Sequence, residues 1–157
     1  MTRPPAVKPR ETRRARAQTD AARVTGRPAP ITWQTAICEA TRTGWHFQLP
    51  TPERTNAIWR QWRGRTLVSA KHRQDKRDVL RFRGTPLAGE LAMRVLWVRA
   101  RRAGDIDSRL KAALDLLQGI AYDNDNQIAR LTVERADTPT TPAGLYVWVE
   151  PLTPEAA

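Results

Sequence analysis

The chain has 157 residues, of which 40% are hydrophobic and 27% charged, a composition that allows one globular domain with a core. Its net charge of +11 favours a polyanionic partner, above all nucleic acid. One cysteine and two histidines exclude an intramolecular disulfide and a Cys/His zinc cluster. Because the sequence has neither an apolar run of the roughly 20 residues that span a bilayer nor a secretory signal, we expect a cytoplasmic protein without membrane contact.

The charge is divided unevenly along the chain. Residues 1–43 carry a net charge of +6, residues 44–104 carry +10, and residues 105–157 carry −5. Carboxylates close to DNA repel its phosphates, so an acid-rich segment in a basic chain indicates acids that hold a cation. The alternative is that acids and bases merely pair on a solvated surface.

The N-terminal part of the chain is rich in arginine and proline. Residues 1–30 have almost no large apolar side chain, which predicts a disordered basic arm, and residues 31–42 fit a strand or a helix equally well. We place a domain boundary here, with a basic, largely disordered extension over residues 1–43 and a folded domain over residues 44–157.

Four segments of the folded domain have the pattern of strands. Residues 45–49 alternate between apolar and polar side chains, and prolines end the segment. Residues 91–100 are apolar on both faces, which predicts a central strand, and strands follow at 128–135 and 145–149. We interpret residues 51–69, dense in aromatic and arginine side chains, as a long loop.

Two helices are predicted between these strands. The first covers residues 70–83, with Ser69 as its N-cap. The second covers residues 108–118 and ends at Gly119; its apolar stripe consists of Leu110, Ala113, Leu114 and Leu117. The predicted fold is therefore α+β, a mixed sheet of about four strands flanked by two helices.

Two acidic segments stand next to predicted strands. Asp105 and Asp107 follow the central strand, where an extended backbone would point both carboxylates to one side and turn Ile106 into the core. Lys111 lies one helical turn after Asp107. Asp107 alone could equally be an ordinary helix N-cap.

The second acidic segment, residues 123–126, precedes the next strand and by itself resembles a polar turn. Whether the two segments meet depends on the path of the chain between them. If they converge, their oxygen ligands would select Mg²⁺ or Mn²⁺ over zinc.

Two blocks of sequence resemble the RusA family of Holliday junction resolvases. Residues 104–117 (GDIDSRLKAALDLL) and 122–128 (YDNDNQI) are similar to the family signature, and residues 49–69, with the runs LPTP, NAIWR and GRTLVS, are similar to its N-terminal block. The chain departs from the family at Ser108, where asparagine is usual, and at Asn124, where aspartate is usual. The similarity covers about residues 45–150 in the family's order and spacing.

This resemblance implies a RusA-like fold and a homodimeric, Mg²⁺-dependent endodeoxyribonuclease, with Mn²⁺ as an alternative metal. Such enzymes resolve four-way DNA junctions by paired nicks during recombination and repair, and prophages often encode them. The resemblance carries the catalytic, metal-binding acids over onto Asp105, Asp107 and Asp125, and the catalytic lysine onto Lys111.

The basic loop and the basic helix are expected to grip the arms of branched DNA through phosphates. Trp59 or Trp62 would stack on opened base pairs, or else pack in the core or a dimer interface. Two other functions stay open: a basic DNA-binding module without catalysis, and a nuclease of the same fold that acts on other branched DNA. The residues predicted to bind DNA are Asn56, Trp59, Arg60, Arg63, Arg65, Lys71, Arg73, Lys76 and Arg77, with Arg54 in the same loop.

Overall fold

The computed structural model describes residues 26–153 and contains one mixed five-stranded sheet and a separate two-stranded hairpin. The order of strands in the main sheet is β1-β2-β7-β5-β6, in which only β5 and β6 are parallel neighbours. The strands are β1 (Ile37–Ala40), β2 (Trp45–Leu49), β3 (Trp59–Trp62), β4 (Arg65–Val68), β5 (Leu91–Val98), β6 (Ile128–Ala136) and β7 (Gly144–Pro151).

Three short α-helices and one 3₁₀ helix connect the strands. The α-helices are α1 (Thr55–Ile58), α2 (Ala70–Val79) and α3 (Leu110–Leu117), and the 3₁₀ helix is Asp125–Gln127. Among residues 26–153, no helix is long and apolar enough to cross a membrane.

The first long helix confirms the predicted cap. The hydroxyl of Ser69 accepts a hydrogen bond from the backbone N–H of His72, which satisfies one of the free donors of the first turn of α2. The helix ends at Val79, four residues before the predicted end, because the chain turns there and Phe82 donates its backbone N–H to the Val79 carbonyl.

The core lies between one face of the sheet and helices α2 and α3. Strand residues such as Phe47 and Val147 are fully buried against it, and the fold class, α+β with a mixed sheet, is confirmed. The predicted stripe of α3 packs against the core, with Leu110 and Leu114 half-buried, and Ala112 and Leu116, which lie outside the predicted stripe, are also fully buried. The remaining members of the helical core are Val79, Ala113 and Leu117.

Residues 31–40 pack against the domain predicted to begin at residue 44. Ile31 is buried, and its backbone N–H donates to the carbonyl of Ala143 at 2.8 Å. Strand β1 then adds a fifth strand to the sheet, with Cys38 opposite Phe47. Most of the predicted basic arm, residues 1–25, lies outside the described residues.

The segment predicted as a long loop, residues 51–69, contains α1 and the β3–β4 hairpin. Arg63 and Gly64 form the turn of the hairpin with φ angles of 48° and 73°, the conformation that joins two antiparallel strands tightly. All four residues of β3 are exposed, so no alternation of apolar side chains marks this strand in the sequence.

Strand β5 lies between β7 and β6, which confirms its prediction as a central strand. Because β6 runs parallel to β5 and begins opposite Leu91, the turn before β6 lies near the start of β5. The acids around residue 105 follow the end of β5. The two acidic segments therefore leave the sheet at opposite ends.

Candidate functional site

The segment that carries Asp105 and Asp107 is fixed against the end of β5 through Gly104. Gly104 has a φ of 97°, and a Cβ at this position would lie 2.9 Å from the ring of Trp97, so only glycine fits. Its carbonyl accepts hydrogen bonds from Arg99 at 3.4 Å and from Arg135 at 3.2 Å. These contacts fix the position of the backbone immediately before Asp105.

The chain then makes consecutive turns instead of the extended stretch predicted from the sequence. The backbone N–H of Ser108 donates to the Asp105 carbonyl at 3.1 Å, and that of Leu110 donates to the Asp107 carbonyl at 3.0 Å. In such turns, successive side chains do not point alternately to opposite sides as they do along an extended backbone. The prediction that Ile106 turns into the core is therefore wrong, since 45% of this residue is exposed.

The fold makes no use of the two carboxylates. The N-cap residue of α3 is Arg109, and no side chain caps this helix, so Asp107 is not an N-cap. Among the contacts of residues 26–153, neither the Asp105 nor the Asp107 carboxylate makes a hydrogen bond or an ion pair. Exposed acids without a structural partner are available to a ligand.

Both carboxylates line an open cleft of about 490 Å³, which we call the carboxylate cleft. One wall is the segment from Gly104 to Lys111, and the other is formed by Arg54, Thr55 and Asn56 at the start of α1. The backbone N–H of Thr55 donates to the Ser108 carbonyl at 2.7 Å and ties the two walls together. Asn56, predicted to bind DNA, is thus next to the acids.

Lys111 connects the carboxylate cleft to the second acidic segment. Its ammonium lies 2.7 Å from Asp115 Oδ1, one turn further along α3, and 3.4 Å from Asp125 Oδ2. The hydrogen bond to Asp115, supported by the one to Asp125, raises the pKa of Lys111. The lysine therefore stays protonated, and its partners are these two acids rather than Asp107.

Asp125 stands in a turn that is held by its neighbours. The side chain of Asn124 accepts from the backbone N–H of Asn126 at 3.0 Å, which an aspartate could do equally well. Gln127 accepts from the backbone N–H of Asp123 and of Asn124, and donates to the carbonyl of Leu87 at 2.9 Å. Sequence reasoning did not identify this role of Gln127.

Tyr122 joins the turn to helix α3. Its ring is fully buried, and its hydroxyl donates to the carbonyl of Leu114 at 2.8 Å. Burial, together with the negative charges of Asp125 and Asp115, raises the pKa of Tyr122 well above its usual range. The phenol is therefore a neutral structural donor.

The structure does not assemble the expected set of three carboxylates. Within residues 26–153, no three Asp, Glu, His or Cys side chains lie close enough together to hold a metal ion. Asp105 and Asp107 share one cleft, whereas Asp125 is not among the residues that line it. Lys111, which lines the cleft and lies 3.4 Å from Asp125 Oδ2, links the two segments.

The β3–β4 hairpin presents two different faces. Cross-strand pairing places Trp62 opposite Arg65 and Arg60 opposite Leu67, so these four side chains share one face. Trp62 is 56% exposed, and the guanidinium of Arg63 lies 4.6 Å from its ring centroid.

Trp59 belongs to the other face of the hairpin, where it stands opposite Val68 and beside Gln61. It is also 50% exposed, so neither Trp59 nor Trp62 packs in the core of the protomer. The basic residues of the hairpin accompany Trp62, and the face of Trp59 is uncharged.

Three basic residues of helix α2 that are predicted to bind DNA make contacts within the protein. Lys71 bonds the buried Asp75 at 2.5 Å, and Arg77 donates to Gln74 at 2.6 Å. Lys76 donates to the carbonyls of Asp115 and Gln118 at the end of α3, and burial lowers its pKa. Lys76 therefore caps the end of α3, whereas Arg73 is exposed.

A second open cleft, also of about 490 Å³, shares Arg54 with the carboxylate cleft. We call it the arginine cleft, because Arg54, Arg99, Arg101 and Arg109 all line it. Burial and the nearby charge of Arg54 lower the pKa of Arg109. The sequence analysis missed Arg101 and Arg109, although both stand in the basic run that flanks the first acids.

A protein-family model matches most of the chain. The family model described as "Endodeoxyribonuclease RusA" matches residues 49–150, a range that includes both clefts, the hairpin and the turn of Asp125. No curated protein matches the chain.

Proposed function

The chain belongs to the RusA family of endodeoxyribonucleases, as its resemblance predicted, and we propose that it resolves four-way DNA junctions by paired, Mg²⁺-dependent nicks. The observation that carries the proposal is the carboxylate cleft, in which two acids that the fold does not use stand beside a protonated lysine. Residues 54–68, which flank the cleft, contain four arginines and no acid. Metal-assisted hydrolysis of a phosphodiester uses acidic residues to hold the cation. Basic residues nearby bind the phosphates of the DNA strand.

The donors of the cleft fit a hard divalent cation. Asp105 and Asp107 offer oxygen ligands only, and Mg²⁺ is commonly held by one or two carboxylates while water and substrate phosphate complete its shell. Bound there, Mg²⁺ or Mn²⁺ would supply an activated water and neutralise charge on the phosphate. Asp125 is the third ligand we propose, and in the structure its Oδ2 lies 3.4 Å from the Lys111 ammonium.

Lys111 would place a fixed positive charge beside the scissile phosphate. Asp115 holds its ammonium from the same helix, so the charge keeps its position if Asp125 moves. Because Lys111 is protonated, it would stabilise the negative charge of the phosphate electrostatically.

The hairpin and helix α2 would hold the arms of the branched DNA. Arg60, Arg63 and Arg65 are exposed on a projecting hairpin, where contacts to phosphates read the shape of DNA and not its sequence. Trp62 would stack on a base that is unpaired at the branch, and Trp59 offers a second ring on the opposite face. Asn56 at the cleft and Lys71, Arg73 and Arg77 on α2 complete the proposed surface.

A homodimer follows from the proposed reaction. Paired nicks in strands of like polarity need two equivalent active sites related by a two-fold axis, and a symmetric dimer supplies them. We therefore propose that two copies of the chain bind one junction in recombination and repair.

Cleavage of synthetic DNA tests the proposal. The full chain is incubated with a labelled four-way junction, a fork or a duplex, in Mg²⁺ or in EDTA. We expect symmetric nicks in the junction with Mg²⁺ and none in EDTA. Asp107→Asn should lower the rate by at least about 100-fold, since a metal ligand supplies several kcal/mol, and Asp123→Asn, an equal charge change at an exposed acid of the second acidic segment, should not.

Three outcomes would contradict parts of the proposal. Binding of the junction without cleavage in Mg²⁺ or Mn²⁺ would indicate a DNA-binding module without catalysis. Faster cleavage of the fork would assign the enzyme to other branched DNA. An Asp107→Asn variant that cuts at the wild-type rate would exclude the carboxylate cleft as the active site.

A further inference from the structure

The arginine cleft has a composition that the proposed chemistry at the acids does not explain. Four arginines and Lys71 line it, against one acid, Glu53. The carboxylate of Glu53 accepts a hydrogen bond from Ser69, and its single negative charge leaves the lining of the cleft with a net positive charge. An open cleft with this excess of positive charge favours an anionic occupant.

Only some of these cations have an acidic partner in the protein. Arg99 forms a bidentate pair with Asp137, with distances of 2.7 and 2.5 Å, and Lys71 bonds Asp75. Among the described residues, Arg54 and Arg101 make no ion pair with a carboxylate. These two guanidinium groups, like that of Arg109, thus line the cleft without an acidic partner among the described residues.

Arg109 adds a buried donor to the wall of this cleft. One terminal nitrogen of its guanidinium donates to the carbonyl of Pro52, and the group lies 5.2 Å from the ring centroid of Trp97. Its Nε is buried and has no hydrogen-bond partner within residues 26–153. The electrostatic interaction between Arg109 and Arg54 is repulsive, and an oxyanion in the cleft that both line would relieve this repulsion.

We propose that the arginine cleft binds a phosphate of the strand being cut, next to the scissile phosphate. Arg54 lines both clefts, so a strand whose scissile phosphate lies at Asp105 and Asp107 continues past Arg54 towards Arg101. A strand presents one phosphate about every 3.4 Å along the helix axis, so a neighbouring phosphate is always within reach. This inference rests on the proposed function, because it takes the carboxylate cleft as the site of cleavage.

A pair of adjacent arginines gives a matched test. Arg101 lines the cleft, whereas Arg102 is 88% exposed, pairs with Asp137 and does not line it. Junction binding is measured in EDTA by fluorescence anisotropy over a range of salt concentrations, so that cleavage plays no part. We expect Arg101→Ala to reduce the slope of log K against log salt by about one and Arg102→Ala to leave it unchanged.

Replacement of single phosphates by uncharged methylphosphonates shows which phosphate of the DNA the arginine cleft contacts. Single methylphosphonates are placed at successive positions around the cut site, and each DNA is bound to the wild type and to Arg101→Ala. One position, within two nucleotides of the cut, should weaken wild-type binding by several-fold and leave Arg101→Ala unaffected. Equal sensitivity of the two proteins at every position, or equal salt slopes for Arg101→Ala and Arg102→Ala, would overturn the proposal.

The cleft could also bind free phosphate, and a separate measurement distinguishes the two sources. Inorganic phosphate is added without DNA at constant ionic strength, and thermal unfolding is followed for the wild type and Arg101→Ala. Stabilisation of the wild type alone, combined with DNA binding that does not depend on Arg101, would assign the cleft to free phosphate and contradict a strand contact. If the protein cuts no DNA but its DNA binding depends on Arg101, the proposed function is refuted, whereas the arginine cleft is still supported as an anion-binding site.

Discussion

The segment of residues 104–118 and the β3–β4 hairpin differ in how the fold holds them. The first is fixed by Gly104 against Trp97, by a backbone hydrogen bond from Thr55, and by the buried side chains of α3. The hairpin is joined at its base by a hydrogen bond from the Ser69 N–H to the Ile58 carbonyl, and nearly all its residues are exposed.

This difference matches two physical tasks. Hydrolysis requires carboxylates held to within a fraction of an ångström, which a packed helix and a constrained glycine can provide. Residues that contact phosphates and unpaired bases can stand on an exposed element of low local stability, because such contacts do not require exact positions. We therefore expect substitutions in the first region to change stability and rate together, and substitutions in the hairpin to change binding alone.

The largest effect is expected for Gly104→Ala. A positive φ and a Cβ 2.9 Å from the Trp97 ring should together cost about 3 kcal/mol in the free energy of unfolding. The acids would move with the backbone, so cleavage should fall roughly 100-fold. Urea denaturation and junction cleavage measure the two effects.

Gly64→Ala is the matched control in the hairpin. Gly64 has a φ of 73° but open space around its Cβ position, so the cost should be about 1 kcal/mol and confined to the hairpin. Equal loss of global stability for the two variants would contradict the distinction between the regions.

A smaller effect is expected for Trp62→Ala. Loss of one stacking ring should weaken binding to a junction about ten-fold, while duplex binding and the free energy of unfolding stay nearly unchanged. Trp62→Phe should restore most of the affinity. Trp59→Ala, on the uncharged face, is the comparison; a larger loss there than at Trp62 would show that the basic face does not approach the DNA.

The smallest effect is expected for Tyr122→Phe. Removal of the buried hydroxyl takes away one of the two donors of the Leu114 carbonyl, which keeps its bond from the Gln118 N–H, and should lower the free energy of unfolding by about 1 kcal/mol. Cleavage should fall a few-fold, because Tyr122 ties helix α3 to the turn of Asp125. Tyr146→Phe, which removes a partly buried hydrogen bond to Pro142, should change stability less and cleavage not at all.

The elements that bury a regular apolar pattern could be predicted from the sequence. Strands β2, β5, β6 and β7 and the N-cap Ser69 all follow from alternation or capping rules, because burial and hydrogen bonding act locally there. Gly119 also ends α3 with a φ of 84°, as its position predicts. The β3–β4 hairpin could not be predicted this way, since its residues are exposed and only the pairing across Arg63 and Gly64 defines it.

The arrangement of the candidate site depends on contacts between residues that are far apart in the sequence, and local sequence patterns do not predict such contacts. Asp105, Asp107 and Lys111 come from one segment, and they do line one cleft. The position of Asp125 depends on the parallel pairing of β6 with β5. The structural role of Lys76 depends on how α2 crosses the end of α3, and the sequence shows only a basic residue on a basic helix.

Strand β6 forms one edge of the sheet and, among the described strands, hydrogen-bonds to β5 alone. Its nine residues offer outward backbone groups that a strand of another molecule can join. Arg130, Glu134 and Arg135 interrupt the apolar side chains along this edge, and such charges oppose the stacking of sheets into fibres. The abundance of charge in this chain thus also protects the folded protein against aggregation.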